Sequence, residues 1–442
     1  IDAVFRQCGV LRAHGFSDLQ DFAQGFSRAG RLPRGRRVAI VTNAGGPAVM
    51  TTDALEGSGL EVAELAEVTR DRLELVLPEA ASTANPVDVL GDAQADRYDE
   101  ALDAVMRDPG VDATIVLLTP QVMTEPETTA RHVVREAKQS DKPVIAVFMG
   151  GEDIAGGVHV LDKGRVPVYD SPERAVRTLA MLAYYHDYLH FEREPAPVFE
   201  VDRAAVASVL DGARERGDRT LTGLEAARLF GAYGFPVLEG RVVGGPDEAV
   251  AHAEKAGWPV ALKIASADVL HKMDVGAVRV DLRTETALRR AYGEILANVR
   301  EHVPQARIDG MLVEPMAPRG REVILGMSRD PQFGPVILFG LGGVYVEVLK
   351  DVTFRLAPML PLSARRMLGE IRARALLDGV RGEPPSDKAA IVDGLLRLSQ
   401  LAVEQPGIAE VDVNPLIVTA SGATGVDYRV ILTEPGAAAA QR

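Results

Sequence analysis

The chain has 442 residues, 47% hydrophobic and 25% charged, and its 49 Lys and Arg against 63 Asp and Glu give a formal net charge of −14. This length exceeds what a single hydrophobic core holds, so we expect several domains. The acidic balance argues against non-specific nucleic-acid binding. No run of roughly 20 apolar residues predicts a membrane span. The single cysteine, Cys8, excludes an intrachain disulfide and fits a reducing cytoplasm.

Residues 1–30 predict helices joined by a short extended link at Val10 and Leu11. The first helix is amphipathic, with Val4, Phe5 and Cys8 among its apolar residues. The chain begins inside this helix and without Met, so we expect further domains upstream in the encoded protein.

A strand, a glycine turn and a helix follow. Val38–Val41 is an apolar run typical of a buried strand, and Asn43–Pro47 is a tight turn before a helix predicted at Ala48–Glu56. Such a turn directs backbone N–H groups and the positive end of the helix dipole toward one space, which suits an anion. A plain strand-to-helix turn is the alternative, because the glycines do not complete a dinucleotide-binding fingerprint.

Strands and helices continue to alternate as far as residue 185. Apolar runs predict strands at Ala113–Leu118, Val144–Phe148 and Val166–Tyr169, and the stretches between them predict helices around Tyr98–Met106, Glu127–Lys138 and Pro172–Tyr185. This order predicts a parallel, flavodoxin-like α/β domain over residues 31–185. The loop with Asn85, Asp88 and Gly91 is expected at the carboxyl edge of the sheet, where ligands usually bind.

Two segments predict little regular structure. Residues 186–218 are rich in charge and proline and indicate a linker, and residues 436–442 indicate a disordered tail. His186 and His190 have a spacing that can bind a metal on a helix, but no third ligand is near, so we assign no metal to them.

Residues 219–435 indicate a second, α+β domain. Thr220, Thr222 and Glu225 form a capping signal for a helix that runs to Gly231. Further along, GREVILGMSRD and GPVILFGLGG predict an antiparallel strand pair around the turn Asp330–Gly334.

The most informative stretch of this domain is PVALKIASADVLHKMDVGAVRV, from Pro259 to Val280. Lys263 alternates with apolar residues of a predicted strand, and the loop that follows carries His271, Lys272, Asp274 and Gly276. A cation fixed on a strand, backbone donors and a loop with a flexible glycine suit a polyphosphate. A β-hairpin with a charged loop is the alternative.

Several segments together resemble a known family. LTGLEAARLFGAYGFPV, ALKIASADVLHKMDVGAV, MLVEPM, GREVILGMSRDPQFGPVILFGLGGVYVEVLKDV, RLAP and EVDVNPLIV are similar to the ATP-grasp module of the ADP-forming acyl-CoA synthetases, relatives of succinyl-CoA synthetase. TNAGGPAVMTTDALE and ANPVDVLG resemble the family's small flavodoxin-like domain. The resemblance implies a flavodoxin-like parallel-sheet domain followed by a two-lobed α+β ATP-grasp domain, with residues 1–30 as a helical remnant of the preceding phosphohistidine domain.

The resemblance also implies where ATP or ADP and Mg²⁺ bind. Lys263 would hold the α- and β-phosphates beside the loop with Gly276, Glu314 and Met316 would form the hinge that contacts adenine and ribose, and Asn414 and Asp427 would hold Mg²⁺. In the small domain, Asn43, Gly45 and Gly46 would face a phosphorylated histidine.

The same comparison implies a phosphoryl relay. His271 matches the histidine held to pass phosphate to ADP, and a neutral imidazole is a competent nucleophile near neutral pH. Glu347, Asp351 and Arg355 would orient the histidine and neutralise charge, and Asp412 would add an acid at the metal or phosphohistidine end. The family's second glycine is replaced here by Ala277, which would cost about 1 kcal/mol if that position needs a positive φ.

The implied reaction is acyl-CoA + ADP + phosphate ⇌ acid + CoA + ATP. We expect CoA to bind only through an N-terminal domain missing from this sequence, and the implied partners are nucleotide, acyl substrates and either a second copy of the chain or that missing domain. Two alternatives remain. One is a synthetase-like regulatory module of a protein lysine acetyltransferase. The other is a carboxylate–amine ligase of the wider ATP-grasp group, against which the flavodoxin-like domain argues.

Overall fold

The computed structural model describes residues 1–190, 194–266, 268–269, 272–342, 350–380 and 382–433. The chain divides into two compact units, which we call the N-terminal unit (Cys8–Glu192) and the C-terminal unit (Ile1–Gln7 with Arg193–Arg442). The expected disordered tail, residues 436–442, lies outside the described residues. Among the helices of the described ranges, none combines the length and the apolar character needed to cross a bilayer.

The first helix, α1 (Asp2–Cys8), lies almost wholly in the C-terminal unit. The Gln7 side chain donates to the Leu356 carbonyl at 3.2 Å and accepts from the Leu356 amide at 2.6 Å. The expected helical segment 1–30 is therefore divided between the two units.

The N-terminal unit alternates helices and strands along the chain. Its elements are α2 (Phe16–Arg28), β1 (Arg37–Thr42), α3 (Gly45–Leu55), β2 (Glu61–Val62), α4 (Glu67–Val76), β3 (Val87–Asp88), α5 (Ala95–Arg107), β4 (Ala113–Leu118), α6 (Pro126–Gln139), β5 (Val144–Phe148), a 3-10 turn (Gly151–Ile154), α7 (Ala155–Gly164), β6 (Val168–Tyr169) and α8 (Pro172–Leu189).

These strands form one parallel sheet in the order β2-β1-β4-β5-β6, with β3 also paired to β1. Every residue of β4 is buried, and alternate residues belong to different cores: Val116 packs in one and Ile115 in the other. Helices on both faces explain why the sequence of this strand is a continuous apolar run. The predicted parallel α/β domain is confirmed.

The C-terminal unit continues the chain order. Its elements are α9 (Arg203–Arg216), β7 (Thr220–Thr222), α10 (Gly223–Ala232), β8 (Arg241–Val243), α11 (Pro246–Ala256), β9 (Val260–Ala265), β10 (Val278–Leu282), α12 (Glu285–His302), β11 (Gly310–Pro315), β12 (Arg321–Asp330), β13 (Gly334–Leu341), β14 (Val352–Leu356), α13 (Pro361–Glu370), a 3-10 helix (Arg372–Asp378), α14 (Lys388–Glu404), β15 (Ile408–Thr419), β16 (Gly422–Gly425) and β17 (Tyr428–Leu432).

Two antiparallel sheets organise this unit. The small sheet has the order β10-β9-β11-β8 and packs on α11 and α12. The large sheet has the order β14-β13-β12-β15-β17-β7, with β16 beside β15, and packs on α9, α10, α13 and α14. Strands β12 and β13 pair from Asp330↔Gly334 outward, which confirms the antiparallel pair predicted there. The α+β character expected for this unit is confirmed.

One local expectation is met and another differs from the structure. The helix predicted after the capping signal is present as α10, which begins directly after Thr222; Thr220–Thr222 also forms β7 and pairs with β17, and Leu221 is buried in the core of the large sheet. The expected linker 186–218 includes the end of α8 and all of α9, whose Leu210 and Ala213 pack in the same core.

Candidate functional site

Lys263 lies on the face of the small sheet that is turned away from its helices. Its neighbours Val260, Leu262 and Ile264 pack in the core with α11 and α12, so the alternation of a strand turns Lys263 the other way. Lys263 is opposite Leu312 on β11, and Glu314 lies two residues further along that strand. A cation and a carboxylate therefore share this face.

The Lys263 ammonium connects the two sheets. Its Nζ lies 2.7 Å from Glu314 Oε2 and donates to the carbonyl of Val426 at 2.9 Å. Lys263 is only 7% exposed and Glu314 only 4%. The contact between them has the distance of an ion pair but not the angles of a hydrogen bond, so Glu314 Oε2 receives no hydrogen bond from the described residues. A buried acceptor with unused capacity is suited to a donor on a ligand.

The expected metal ligands, Asn414 and Asp427, are neighbours on the large sheet. The backbone N–H of Asn414 donates to the backbone carbonyl of Asp427 at 3.1 Å, and the backbone N–H of Val426 donates to the backbone carbonyl of Pro415 at 3.1 Å. Val411 and Val413 of the same strand pack in the core, so Asn414 lies on the opposite face. Asp427 directly follows the residue that Lys263 contacts, which brings the metal pair next to the lysine.

The donor set at Asn414 and Asp427 fits Mg²⁺. Both side chains offer hard oxygen atoms, Asn414 is exposed, and the Asp427 side chain is 46% exposed. Magnesium commonly takes one or two protein oxygens and completes its shell with phosphate and water. The described ranges contain no group of three or more His, Cys, Asp and Glu side chains arranged for a metal.

Asp412 lies two residues before Asn414, on the same side of β15. Burial raises the pKa of its carboxyl, Arg429 at 3.9 Å lowers it, and Asp427 and Glu410 raise it further, with a net upward shift. A carboxyl in this environment is stabilised in its charged form by any cation placed beside it. The structure thus places Asp412 close to Asn414 and Asp427, and its catalytic role stays a prediction.

Lys272 also reaches this cluster, although sequence analysis gave it no role. It is 7% exposed and its Nζ lies 4.0 Å from Asp427 Oδ1. A cavity of ≈ 410 Å³ opens beside it, with Arg216 and Arg307 in its wall. The burial of Lys272 could not be read from the sequence, because the loop around it is polar and carries no periodic pattern.

The glycine of this loop is fixed by its surroundings. Gly276 has φ +63, and an added Cβ would lie 2.6 Å from the amide nitrogen of Asn298 on α12. Its carbonyl accepts from that amide at 3.1 Å and from Arg279 at 3.1 Å. Ala277 does not have a positive φ and its methyl group is buried in the small-sheet core, so the strain considered for this alanine does not arise.

The structure does not bring Asp351 and Arg355 to this cluster. Arg355 is paired across β13 and β14 with Ile337, whose side chain lies in the core of the large sheet, and its guanidinium lies 2.5 Å from Glu370 on α13. Arg355 therefore lies on the face of the large sheet opposite Asn414. Asp351 accepts hydrogen bonds from the first two amides of the 3-10 helix, those of Arg372 at 2.8 Å and Ala373 at 2.9 Å. These contacts stabilise the fold, and the catalytic roles expected for both residues stay predictions.

Replacing Asp351 with alanine separates these two roles. We expect the free energy of unfolding to fall by about 1–2 kcal/mol, because two amides at a helix start lose their acceptor. Urea denaturation measures this loss, with Asp247→Ala at an exposed side chain as the control. We expect unchanged Mg-ADP affinity in calorimetry, and a fall in affinity at full stability would contradict the structural role.

Two of the expected catalytic residues, His271 and Glu347, lie outside the described residues. Their roles stay predictions from the sequence pattern. Met316, expected at the hinge, follows β11, and its Sδ accepts from the Asp281 amide at 3.4 Å.

The glycine turn of the N-terminal unit begins α3 directly. Gly45 and Gly46 are exposed at the start of this helix, as an anion-facing turn requires. The Asn43 side chain is committed elsewhere: its amide donates to the Thr119 carbonyl at 2.8 Å and its oxygen accepts from the Thr119 amide at 3.0 Å. Asn43 therefore holds the turn against the end of β4, and only the two glycines have free space above them.

The segment from α4 to β3 likewise contains one side chain that holds the fold and one that lies at the sheet edge. Asn85 accepts from the Ile40 amide at 2.9 Å and donates to the carbonyls of Val38 and Ala63 at 2.8 and 2.9 Å. Asn85 therefore connects β1 with the segment directly after β2 and does not line a site. Asp88 lies at the carboxyl edge, where its Oδ2 would be 3.9 Å from a Cβ on Gly45.

Comparison with known domain families gives two matches. An ATP-grasp domain matches residues 212–432, and a Ligase-CoA domain matches residues 38–187. The second match corrects the expectation that CoA chemistry depends only on a missing domain, because a domain of the CoA-ligase type occupies the N-terminal unit itself.

Relatives and solved structures agree with these matches. The ADP-forming acetate–CoA ligase I of Archaeoglobus fulgidus is 40% identical over 98% of this chain and 62% of its own length. The subunit beta of the corresponding ligase I of Pyrococcus furiosus is 41% identical over 52% of this chain and all of its own length. A Ca. Korarchaeum cryptofilum acetyl-coenzyme A synthetase, solved with coenzyme A, Ca-AMPCP and HgCl+, is 46% identical over 51% of this chain and 99% of its own, with a TM-score of 0.51. The chain thus spans about three fifths of the length of the single-chain relative.

Proposed function

This chain belongs to the ADP-forming acyl-CoA synthetase family, and from that premise we propose that its C-terminal unit binds Mg-ADP and Mg-ATP and transfers a phosphoryl group between the nucleotide and a histidine. The observation that carries the proposal is the meeting of two buried lysines with the oxygen pair Asn414 and Asp427. A polyphosphate site requires cationic side chains next to oxygen ligands for Mg²⁺.

Lys263 is the residue we assign to the nucleotide phosphates. Its ammonium is held by Glu314 and the Val426 carbonyl, so it is already positioned before a ligand arrives. A phosphate oxygen would replace the carbonyl as its partner. Glu314, with a carboxylate oxygen that receives no hydrogen bond from described residues, would accept a hydroxyl or amino group of the nucleoside beside Met316.

Asn414 and Asp427 are the residues we assign to Mg²⁺. When bound, the ion would neutralise charge on the phosphates. The exposed positions of both side chains leave room for phosphate oxygens and water in its shell.

We assign phosphoryl transfer to His271, on the strength of the sequence pattern. A bond between the imidazole nitrogen and phosphorus would break while an oxygen of the ADP β-phosphate forms the new bond to phosphorus, giving ATP and a neutral histidine. The reverse step would phosphorylate the histidine from ATP.

The complete reaction we propose is that of an acid–CoA ligase: acyl-CoA, ADP and phosphate interconvert with the acid, CoA and ATP. This chain would contribute the carboxyl-terminal part of that enzyme, including its Ligase-CoA domain. A segment carrying the first phosphohistidine, in the same protein or in an associated one, would complete it. The relative named as subunit beta supports the idea that these parts can be separate chains.

The test combines binding with phosphorylation. Calorimetry is expected to show Mg-ADP binding, and incubation with γ-labelled ATP is expected to give one acid-labile phosphate per chain. His271→Asn is the matched variant and should keep nucleotide binding but lose the label. Failure of the wild-type chain to bind Mg-ADP or Mg-ATP would overturn the proposal.

A further inference from the structure

We propose that Lys272 is a positioning residue that neutralises Asp427 until a polyphosphate arrives and thereby makes metal entry depend on the nucleotide. This inference rests on the proposed function, since it concerns the same site. It gives Lys272 a role that neither the lysine on β9 nor the two metal-binding residues can supply.

The first support is the burial of a lysine in a loop. Lys272 is 7% exposed, although it follows the strand end by several residues and lies in a polar loop. Burying an ammonium is unfavourable unless a negative partner compensates. Among the ion pairs of the described residues, the carboxylate that faces Lys272 is Asp427, at 4.0 Å.

The second support is that the two buried lysines contact different groups. Lys263 contacts the carbonyl of Val426, and Lys272 faces the side chain of Asp427, the next residue. Lys263 also has its own carboxylate in Glu314, whereas Arg429 faces Asp412. Lys272 is therefore the described cation placed to offset the charge of Asp427.

The ion pair between Lys272 and Asp427 is expected to affect the binding of a divalent cation. A unit charge 4 Å from a carboxylate offsets much of the attraction that the carboxylate exerts on a divalent ion. The nucleotide-free site should then hold a free divalent cation weakly. A nucleotide brings several negative charges, which attract Lys272 away from Asp427 and leave that carboxylate to the cation.

Manganese(II) is the probe for the first arm of the test, because its binding is measured directly by electron paramagnetic resonance without any turnover. With nucleotide-free protein, we expect Lys272→Met to bind Mn²⁺ about tenfold more tightly than the wild type. Lys272→Arg, which keeps the charge, should resemble the wild type. Lys255→Met, at an exposed lysine on α11, controls for the change in net charge.

The second arm measures ADP binding in the presence of Mg²⁺ by calorimetry. Here we expect the opposite sign: Lys272→Met should bind ADP about tenfold more weakly, because the phosphates lose a cation. Asp427→Asn in the Lys272→Met background should abolish the gain in Mn²⁺ affinity, which assigns that gain to this carboxylate. Thermal unfolding of each variant identifies any that fails to fold.

The outcomes separate this inference from the proposed function. Equal Mn²⁺ affinities of wild type and folded Lys272→Met would overturn the role of Lys272, as would a gain in affinity that persists without Asp427. If the wild type binds no nucleotide while Lys272→Met still gains Mn²⁺ affinity, the proposed function fails, and with it the dependence on nucleotide, although the charge offset by Lys272 stands.

Discussion

Replacing Lys263 with methionine is expected to weaken Mg-ADP binding by about a hundredfold, measured by calorimetry at physiological ionic strength. The ammonium is held against the Val426 carbonyl at 2.9 Å, beside Asn414 and Asp427, which we propose to hold Mg²⁺, and methionine has similar length but no charge. Charge-assisted hydrogen bonds to phosphate contribute about 1.5–3 kcal/mol each, and about 1.4 kcal/mol corresponds to tenfold in affinity.

The control for Lys263→Met is Lys255→Met, which removes the same charge from an exposed position on α11. We expect its Mg-ADP affinity to differ little from that of the wild type, because an exposed charge far from a ligand is screened by salt. Unchanged affinity in Lys263→Met would contradict the assignment of this lysine to the phosphates.

Replacing Glu314 with leucine is expected to lower the free energy of unfolding by about 3–5 kcal/mol. Glu314 is the carboxylate partner of Lys263, and both side chains are more than nine-tenths buried. Removing one partner of a buried ion pair leaves an uncompensated charge in a region of low polarity, which is the costly case. Trp258, the only tryptophan, lies two residues before the strand of Lys263, so its fluorescence in a urea titration reports on this sheet.

The double variant, Lys263→Met with Glu314→Leu, distinguishes the structural from the functional part of the pair. Two apolar side chains of similar volume can replace a buried ion pair with little change in stability. We therefore expect the double variant to recover most of the lost free energy but to remain unable to bind Mg-ADP tightly. If the single Glu314→Leu variant is as stable as the wild type, the pair does not stabilise this part of the fold.

The pair also explains why the lysine is ready for a ligand. An isolated ammonium on a buried strand would be strongly disfavoured, and Glu314 supplies the compensating charge while the Val426 carbonyl is the partner that, in our proposal, a phosphate oxygen would replace. Gly240 allows this arrangement, because a Cβ there would lie 2.7 Å from the Glu314 side chain. Positioning before binding reduces the entropy lost when the ligand arrives.

Sequence periodicity predicted the strands and helices of the N-terminal unit well. A parallel strand with helices on both sides must be apolar at every position, and a helix must repeat its apolar residues at 3.6, so both leave local patterns. The helix predicted after Thr222 is present as α10, but the strand Thr220–Thr222 before it was not predicted, because only its pairing with β17 makes this short segment a strand.

By itself, the sequence determined the parallel α/β domain, the antiparallel α+β unit and the presence of a lysine strand, since these depend on local patterning and on motifs contiguous in the chain. Tertiary structure decided which polar groups meet. Lys263 and Val426 are far apart in sequence, yet the ammonium of Lys263 lies 2.9 Å from the Val426 carbonyl oxygen, because tertiary packing brings β9 next to the turn between β16 and β17. The same long-range packing set Arg355 against Glu370 and turned Lys272 toward Asp427. No local sequence pattern predicts these side-chain contacts, because each depends on the combined geometry of every strand and helix between the two residues.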